Sequence, residues 1–199
     1  MAHIGILLFD RVEELDFVGP YEVLAKAEDL RPKEIAVRTY AFDRLEVTGN
    51  KRLEVRAHGL CADAPQLDVL LVPGGDGSRA VAADPRLIDW VQTQAVGCRW
   101  VTSVCTGARV LAAAGLLDGK RITTYHDAID ELRDGGRAAD VLAGVRYVRD
   151  GNVVTSAGVS AGIDMTLWLL GQLTSPAFAR EVQADIEYFP APPYAAETE

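Results

Sequence analysis

A chain of 199 residues, 49% hydrophobic and 25% charged, is long enough for one domain with a sizeable core and has the composition of an ordinary globular protein. Its formal charge of -9 leaves no Lys/Arg excess to set against phosphates, which argues against a nucleic-acid partner. No stretch approaches the roughly 18 apolar residues that span a bilayer, and the apolar start at residues 3–9 lacks the length, basic flank and cleavage site of a secretion signal, so a cytoplasmic protein is expected.

Residues 3–9 (HIGILLF) form a continuous apolar run suited to the buried middle of a parallel sheet. A helix is expected over 18–28, with Pro20 tolerated in its first turn. Residues 34–42 alternate like a strand, and 45–47 with 53–55, separated by Thr48-Gly49-Asn50-Lys51, predict a small hairpin at the sheet's edge. Residues 68–72 are another buried strand, closed by Pro73-Gly74-Gly75. Asp84 and Pro85 then supply the N-cap and first residue of a helix that runs to Val96 and ends at Gly97.

Residues 99–104 (RWVTSV) are a strand running straight into Cys105, and 106–114 are a helix of small residues ended by Gly115. Residues 116–124 return toward the sheet, and a short helix fits 128–133. Residues 145–148 and 152–155 flank Asp150-Gly151, a two-residue hairpin turn. Residues 161–173 are apolar on nearly every side and expected to be buried beneath an amphipathic helix over 176–188. The alternation predicts an α/β fold, its mostly parallel sheet covered on both faces, and in such folds ligands bind at the carboxyl ends of the strands. Nothing divides the chain, so residues 1–190 are expected to form a single domain and the Pro/Ala-rich residues 191–199 a loose tail.

Cys61, Cys98 and Cys105 are odd in number and irregularly spaced, and His3, His58 and His126 are scattered, which predicts neither a disulfide framework nor a metal site. Cys105 differs from the other two in its setting, Thr102-Ser103-Val104-Cys105-Thr106-Gly107-Ala108. A strand-to-helix elbow strains its central residue and brings the flanking positions together, so small Ser103 and Gly107 fit where larger side chains collide. The expected result is an exposed sulfur facing a helix N-terminus, which lowers the thiol pKa and favours the reactive thiolate. The plainer reading is a buried structural cysteine, which is how Cys61 and Cys98 are read.

Asp16 follows the first strand at the same sheet edge and fits two roles, a helix N-cap or a carboxylate that moves protons; Glu13 and Glu14 are read as solvated. Gly74 and Gly75 leave room for backbone N–H groups to approach a ligand and steady an oxyanion, although a glycine turn is often only a turn. Tyr125 and His126, after the paired Thr123-Thr124, line the same pocket or are merely packed or exposed.

Together Pro73-Gly74-Gly75, the elbow cysteine, LDFVGP at 15–20, VTSVCTGARVLAAAGLLDGKRITT at 101–124 and SAGVSAGIDM at 156–165 make the chain similar to the ThiJ/PfpI superfamily, and within it to the isocyanide hydratases. That resemblance covers nearly the whole chain. It implies a flavodoxin-like three-layer αβα sandwich of the class I glutamine amidotransferase-like kind, a homodimer, a small-molecule substrate and no cofactor. It also implies Cys105 as nucleophile, Asp16 as its acid/base partner and Thr106 beside it, acting in isocyanide hydration to formamides. The chain departs from the pattern where Tyr125-His126 replaces the usual His-Trp. Two other readings stand beside it. One is a protease, deglycase or glyoxalase, although Thr106 holds the position where those enzymes carry histidine. The other is a redox or ligand sensor like those of AraC-type regulators, for which no room is expected after Pro190 for a DNA-binding domain.

Overall fold

In the computed structural model, which describes residues 1–191, the apolar runs at 3–9, 68–72 and 99–104 form strands and the longer one at 161–173 a helix. In chain order these are β1 (Ala2–Leu8), α1 (Glu14–Leu30), β2 (Ile35–Ala41), β3 (Glu46–Thr48), β4 (Glu54–Arg56), β5 (Gly59–Leu60), β6 (Val69–Val72), α2 (Ser78–Ala83), α3 (Pro85–Gly97), β7 (Trp100–Val104) and α4 (Gly107–Ala113). They continue with β8 (Arg121–Ile122), α5 (Ile129–Asp134), β9 (Asp140–Val141), β10 (Tyr147–Asp150), β11 (Val153–Ser156), α6 (Ala161–Leu173) and α7 (Pro176–Asp185).

The central sheet has the order β10-β11-β7-β6-β1-β2-β5, with only β10 antiparallel to its neighbour. Every residue of β6, β7 and β11 is buried, because helices cover both faces and leave no side for polar residues. α1, α6 and α7 pack on one another, and α2, α3 and α4 form a second group. Setting aside the edge strands β5 and β10, the parallel strands run 2-1-3-4-5, the flavodoxin-like order. The chain reverses direction across the sheet between β1 and β6, and the carboxyl ends at that switch point are where a ligand crevice forms.

Several boundaries differ from expectation. α1 begins at Glu14, four residues early, so Pro20 lies inside the helix and Asp16 in its first turn. α2 is an extra short helix after the glycine loop. The β3–β4 hairpin forms its own two-stranded sheet and folds over the end of β1, where Arg11 N–H donates to Thr48 O and Asn50 N–H to Val12 O. The return at 116–124 yields only β8, paired with β9 outside the central sheet. The β10–β11 turn is Gly151-Asn152, one residue later than read, because Asp150 pairs with Val153. α7 stops at Asp185. Of the expected loose tail at 191–199, all but Ala191 lies outside the described residues.

Candidate active site

β7 delivers Cys105 to the carboxyl edge of the sheet with φ +56, a left-handed conformation that side chains other than glycine adopt at a cost of about 1 kcal/mol or more. The turn is held from several sides. Cys105 N–H is shared between Ser156 O and Ala157 O, both at 3.2 Å, and Thr124 Oγ1 donates to Cys105 O at 2.7 Å. The steric reading of the flanks holds at Gly107, where a Cβ would collide with Val72 O. Ser103 is fully buried, and its hydroxyl has no hydrogen-bond partner.

Cys105 is 5% exposed, which corrects the expectation of an open sulfur. The expected depressed pKa is corrected too. Burial, followed by the charge of Asp16, pushes the thiol up to about 12 against the pull of the Thr106 and Val159 N–H groups. α4 is only seven residues long, and its dipole does not offset the burial. Cys61 and Cys98 are buried likewise, each raised to about 12 chiefly by desolvation.

Asp16 stands against this sulfur. The N-cap position belongs to Glu13, so the structural role weighed for Asp16 does not apply. Its side chain is fully buried, Oδ2 accepts Gly74 N–H at 2.8 Å, and Oδ1 has no hydrogen-bond partner among the described residues. Desolvation raises its pKa to about 7; Gly74 N–H and the Cys105 thiol oppose that rise, while Glu13 adds to it. Glu13 and Glu14 are not solvated as read. Glu13 is 14% exposed and paired with Lys51 at 2.5 Å, and Glu14 accepts Lys51 N–H at 2.5 Å, which ties α1 to the β3–β4 loop.

Gly74 and Gly75 do not serve as an oxyanion hole, because their N–H groups are already donated, to Asp16 Oδ2 and to Thr106 Oγ1 at 2.9 Å. They brace the site instead. A Cβ at Gly74 would lie 2.5 Å from Thr106 N and 2.9 Å from Asp16 Oδ2, so only glycine lets these groups converge. Thr106 Oγ1 also accepts from Ser78 Oγ at 3.2 Å and donates to Gly75 O at 3.3 Å.

Tyr125 rests its ring on Gly158, and the charge of Asp127, with smaller contributions that include the Cys105 sulfur and Glu13, holds its phenol above the usual range. His126 is not brought to the sulfur. Its ring is 73% exposed, 2.7 Å from Asp127 and tilted at 45° to Tyr125, with which it lines the cavity beside the site. Sequence reasoning missed Val159, which follows β11 at φ +48 with its N–H toward Cys105; the only signal was the SAGVSAG run, to which no role was given. A cavity of about 290 Å³ opens between Tyr125, Ile129, Val145 and Val159 beside the site. Among the described residues, no three His, Cys, Asp or Glu side chains are grouped to hold a metal ion, and no helix is long and apolar enough to cross a membrane.

The model of the DJ-1/PfpI family matches residues 2–172. Over 194 residues the chain is 42% identical to the isonitrile hydratase of Pseudomonas putida, covering 96% of this chain and 80% of that one. It is 30% identical to the HTH-type transcriptional regulator CdhR of Pseudomonas aeruginosa over 88% of its own length, but spans only 52% of the regulator. Among solved structures, a THiJ/PfpI family protein from Pseudomonas syringae superimposes with a TM-score of 0.89 at 30% identity, covering 99% of this chain and 79% of that one. DJ-1beta of Drosophila melanogaster, at 22% identity, shares the fold with a TM-score of 0.83 over 95% of this chain and 99% of its own.

Proposed function

The chain belongs to the DJ-1/PfpI family, and on that premise we propose that it hydrates organic isocyanides to N-substituted formamides, with Cys105 as nucleophile and Asp16 as acid and base. The observation that carries this reading is the buried pairing of a carboxyl held near pH 7 with a protonated thiol. Such a carboxyl is matched to taking up a proton and returning it at neutral pH. The 42% identity to an isonitrile hydratase supports the substrate class.

Ionised Asp16 takes the thiol proton as sulfur attacks the terminal carbon of R–N≡C. The same proton then passes from Asp16 to that carbon, giving the thioimidate R–N=CH–S–Cys105. Water adds across the C=N bond, its proton moving by way of Asp16 to nitrogen. As the C–S bond breaks, the hydroxyl proton of the adduct returns to sulfur and R–NH–CHO leaves. Thr106 and Val159 N–H groups steady the negative sulfur in both directions.

Supporting roles follow for the rest of the site. Thr106, Gly74 and Gly75 fix the Cys105–Asp16 geometry, and Tyr125 borders the substrate space. The reading takes residues 1–190 as a single domain, working without a cofactor or nucleic-acid partner. Cytoplasmic location is supported by three unbridged cysteines. A homodimer is supported by Leu15 and Val18, 38% and 37% exposed one helical turn apart on α1 beside Asp16.

The test is formamide formation from a panel of alkyl and aryl isocyanides by reduced protein. Turnover that Cys105→Ala abolishes is expected; no formamide from any of them overturns the reading. Protease, deglycase or glyoxalase chemistry with a Cys–His pair is disfavoured because His126 is 73% exposed and paired with Asp127 rather than with Cys105. The similarity to CdhR favours a sensor as the second reading, and binding without turnover in the same assay supports it.

A further inference from the structure

Behind Thr106 lies a chain of side chains that the reaction as described does not use. Glu131 on α5 grips Arg109 on α4 through two bonds of 2.7 Å, Nε to Oε1 and Nη2 to Oε2, and also meets Arg79 at 3.0 Å. The third nitrogen of Arg109, Nη1, lies 3.3 Å from Ser78 Oγ, and Ser78 Oγ lies 3.2 Å from Thr106 Oγ1. Ser78 is fully buried, Thr106 is 7% exposed and the Arg109 side chain 12%, so water does not compete freely for these groups.

The donor and acceptor capacities bias the direction of the bonds. A guanidinium only donates, so Ser78 Oγ gives one of its two lone pairs to Arg109, and its own proton is left for Thr106. Thr106 Oγ1 then accepts from both Ser78 and Gly75 N–H, which fills its two lone pairs. Its proton is the one group left to give. In the resting site it makes a long bond to Gly75 O at 3.3 Å, and the same hydroxyl lies near enough to the Cys105 sulfur to lower the thiol pKa.

We propose that Arg109 is a positioning residue whose donation to Ser78 sets the direction of the Ser78–Thr106 hydrogen bonds, leaving the Thr106 hydroxyl proton free to swing from Gly75 O to the Cys105 sulfur as it becomes anionic. Glu131 holds Arg109 in register for this. Without the guanidinium both lone pairs of Ser78 are open to Thr106, and its proton is drawn away from the sulfur. The inference rests on Cys105 acting as a thiolate nucleophile, but not on isocyanide as its substrate.

The experiment measures alkylation of Cys105 by iodoacetamide against pH, with Cys61→Ala/Cys98→Ala as background, and follows folding by circular dichroism. Arg109→Met is expected to slow alkylation of Cys105 about tenfold across pH 7 to 9, the loss of thiolate that one pKa unit brings. Arg109→Lys, which still donates, is expected to restore most of it. Adding Ser78→Ala to Arg109→Met removes the competing acceptor and is expected to return the profile toward that of the background protein, a restoration that loss of packing does not produce. The double variant titrating with Arg109→Met, or either one titrating with the background throughout, overturns the proposal. Thr106→Val supplies an independent arm should Arg109→Met not fold: slower alkylation supports the role of the hydroxyl, and an unchanged profile overturns it. Because alkylation needs no isocyanide, failure here is separable from failure of the hydratase reading.

Discussion

Asp16 has no exposure, and its pKa rises from the ordinary 3.8 to about 7, so folding takes up a proton between those values. Between pH 4 and 7 the folded state keeps a proton that the unfolded chain has lost, and stability therefore falls as pH rises through that window. The difference corresponds to about 4 kcal/mol at pH 8. Asp16→Asn is accordingly expected to raise the melting temperature by several degrees at pH 8 and by little at pH 4, while kcat/KM falls by about 10² or more. Calorimetry at the two pH values checks the first and turnover the second; a variant less stable at pH 8 contradicts the assignment of cost to the buried charge. Cys105 was legible as a strand-to-helix turn because a strand, small flanks and a helix are written consecutively around it. Its burial was not legible, since the covering groups come from Asp16 and Val159, 89 and 54 positions away in sequence.

The loop between β6 and α2 joins these distant pieces. Gly74 lets Thr106 N and Asp16 Oδ2 approach the same point, so Gly74→Ala is expected to push one of them aside. A loss of about 2 kcal/mol or more in stability, with a larger proportional loss in kcat than in KM, is the expected outcome in denaturant titration and steady-state kinetics. As a contrast, Asp84→Ala removes the α3 cap, where Asp84 Oδ1 accepts Arg86 N–H at 2.9 Å, and is expected to cost about 1 kcal/mol with unchanged kcat. Elements with strong local signals, such as β6, α3 and α6, were readable because burial or capping is encoded within the segment. α1 was read four residues short because Pro20 looked like a helix start, whereas the helix tolerates it in the interior. β8 and β9 were not readable, as two-residue strands carry no periodicity.

At the scale of the whole molecule, the switch point between β1 and β6 gathers the carboxyl ends that bear Asp16, Gly74 and Cys105; strand–helix alternation gave the mostly parallel α/β sheet, and the resemblance its flavodoxin-like order. The proposed dimer entered the sequence reading only through the resemblance, because Leu15 lay outside the helix expected at 18–28 and its exposure beside Val18 shows only in the structure. Sedimentation is expected to give about twice the 21.5 kDa chain mass, and Leu15→Arg/Val18→Arg to give the chain mass. A wild-type monomer contradicts the dimer. The central claim, that one proton passes between Asp16 and Cys105 during hydration, is tested most directly by the pH dependence of kcat/KM for an isocyanide. The expected profile rises through pH about 7 as Asp16 ionises, stays level to pH 9, and loses its rise in Asp16→Asn. A wild-type profile flat from pH 5 to 9, or the same rise persisting in Asp16→Asn, contradicts it.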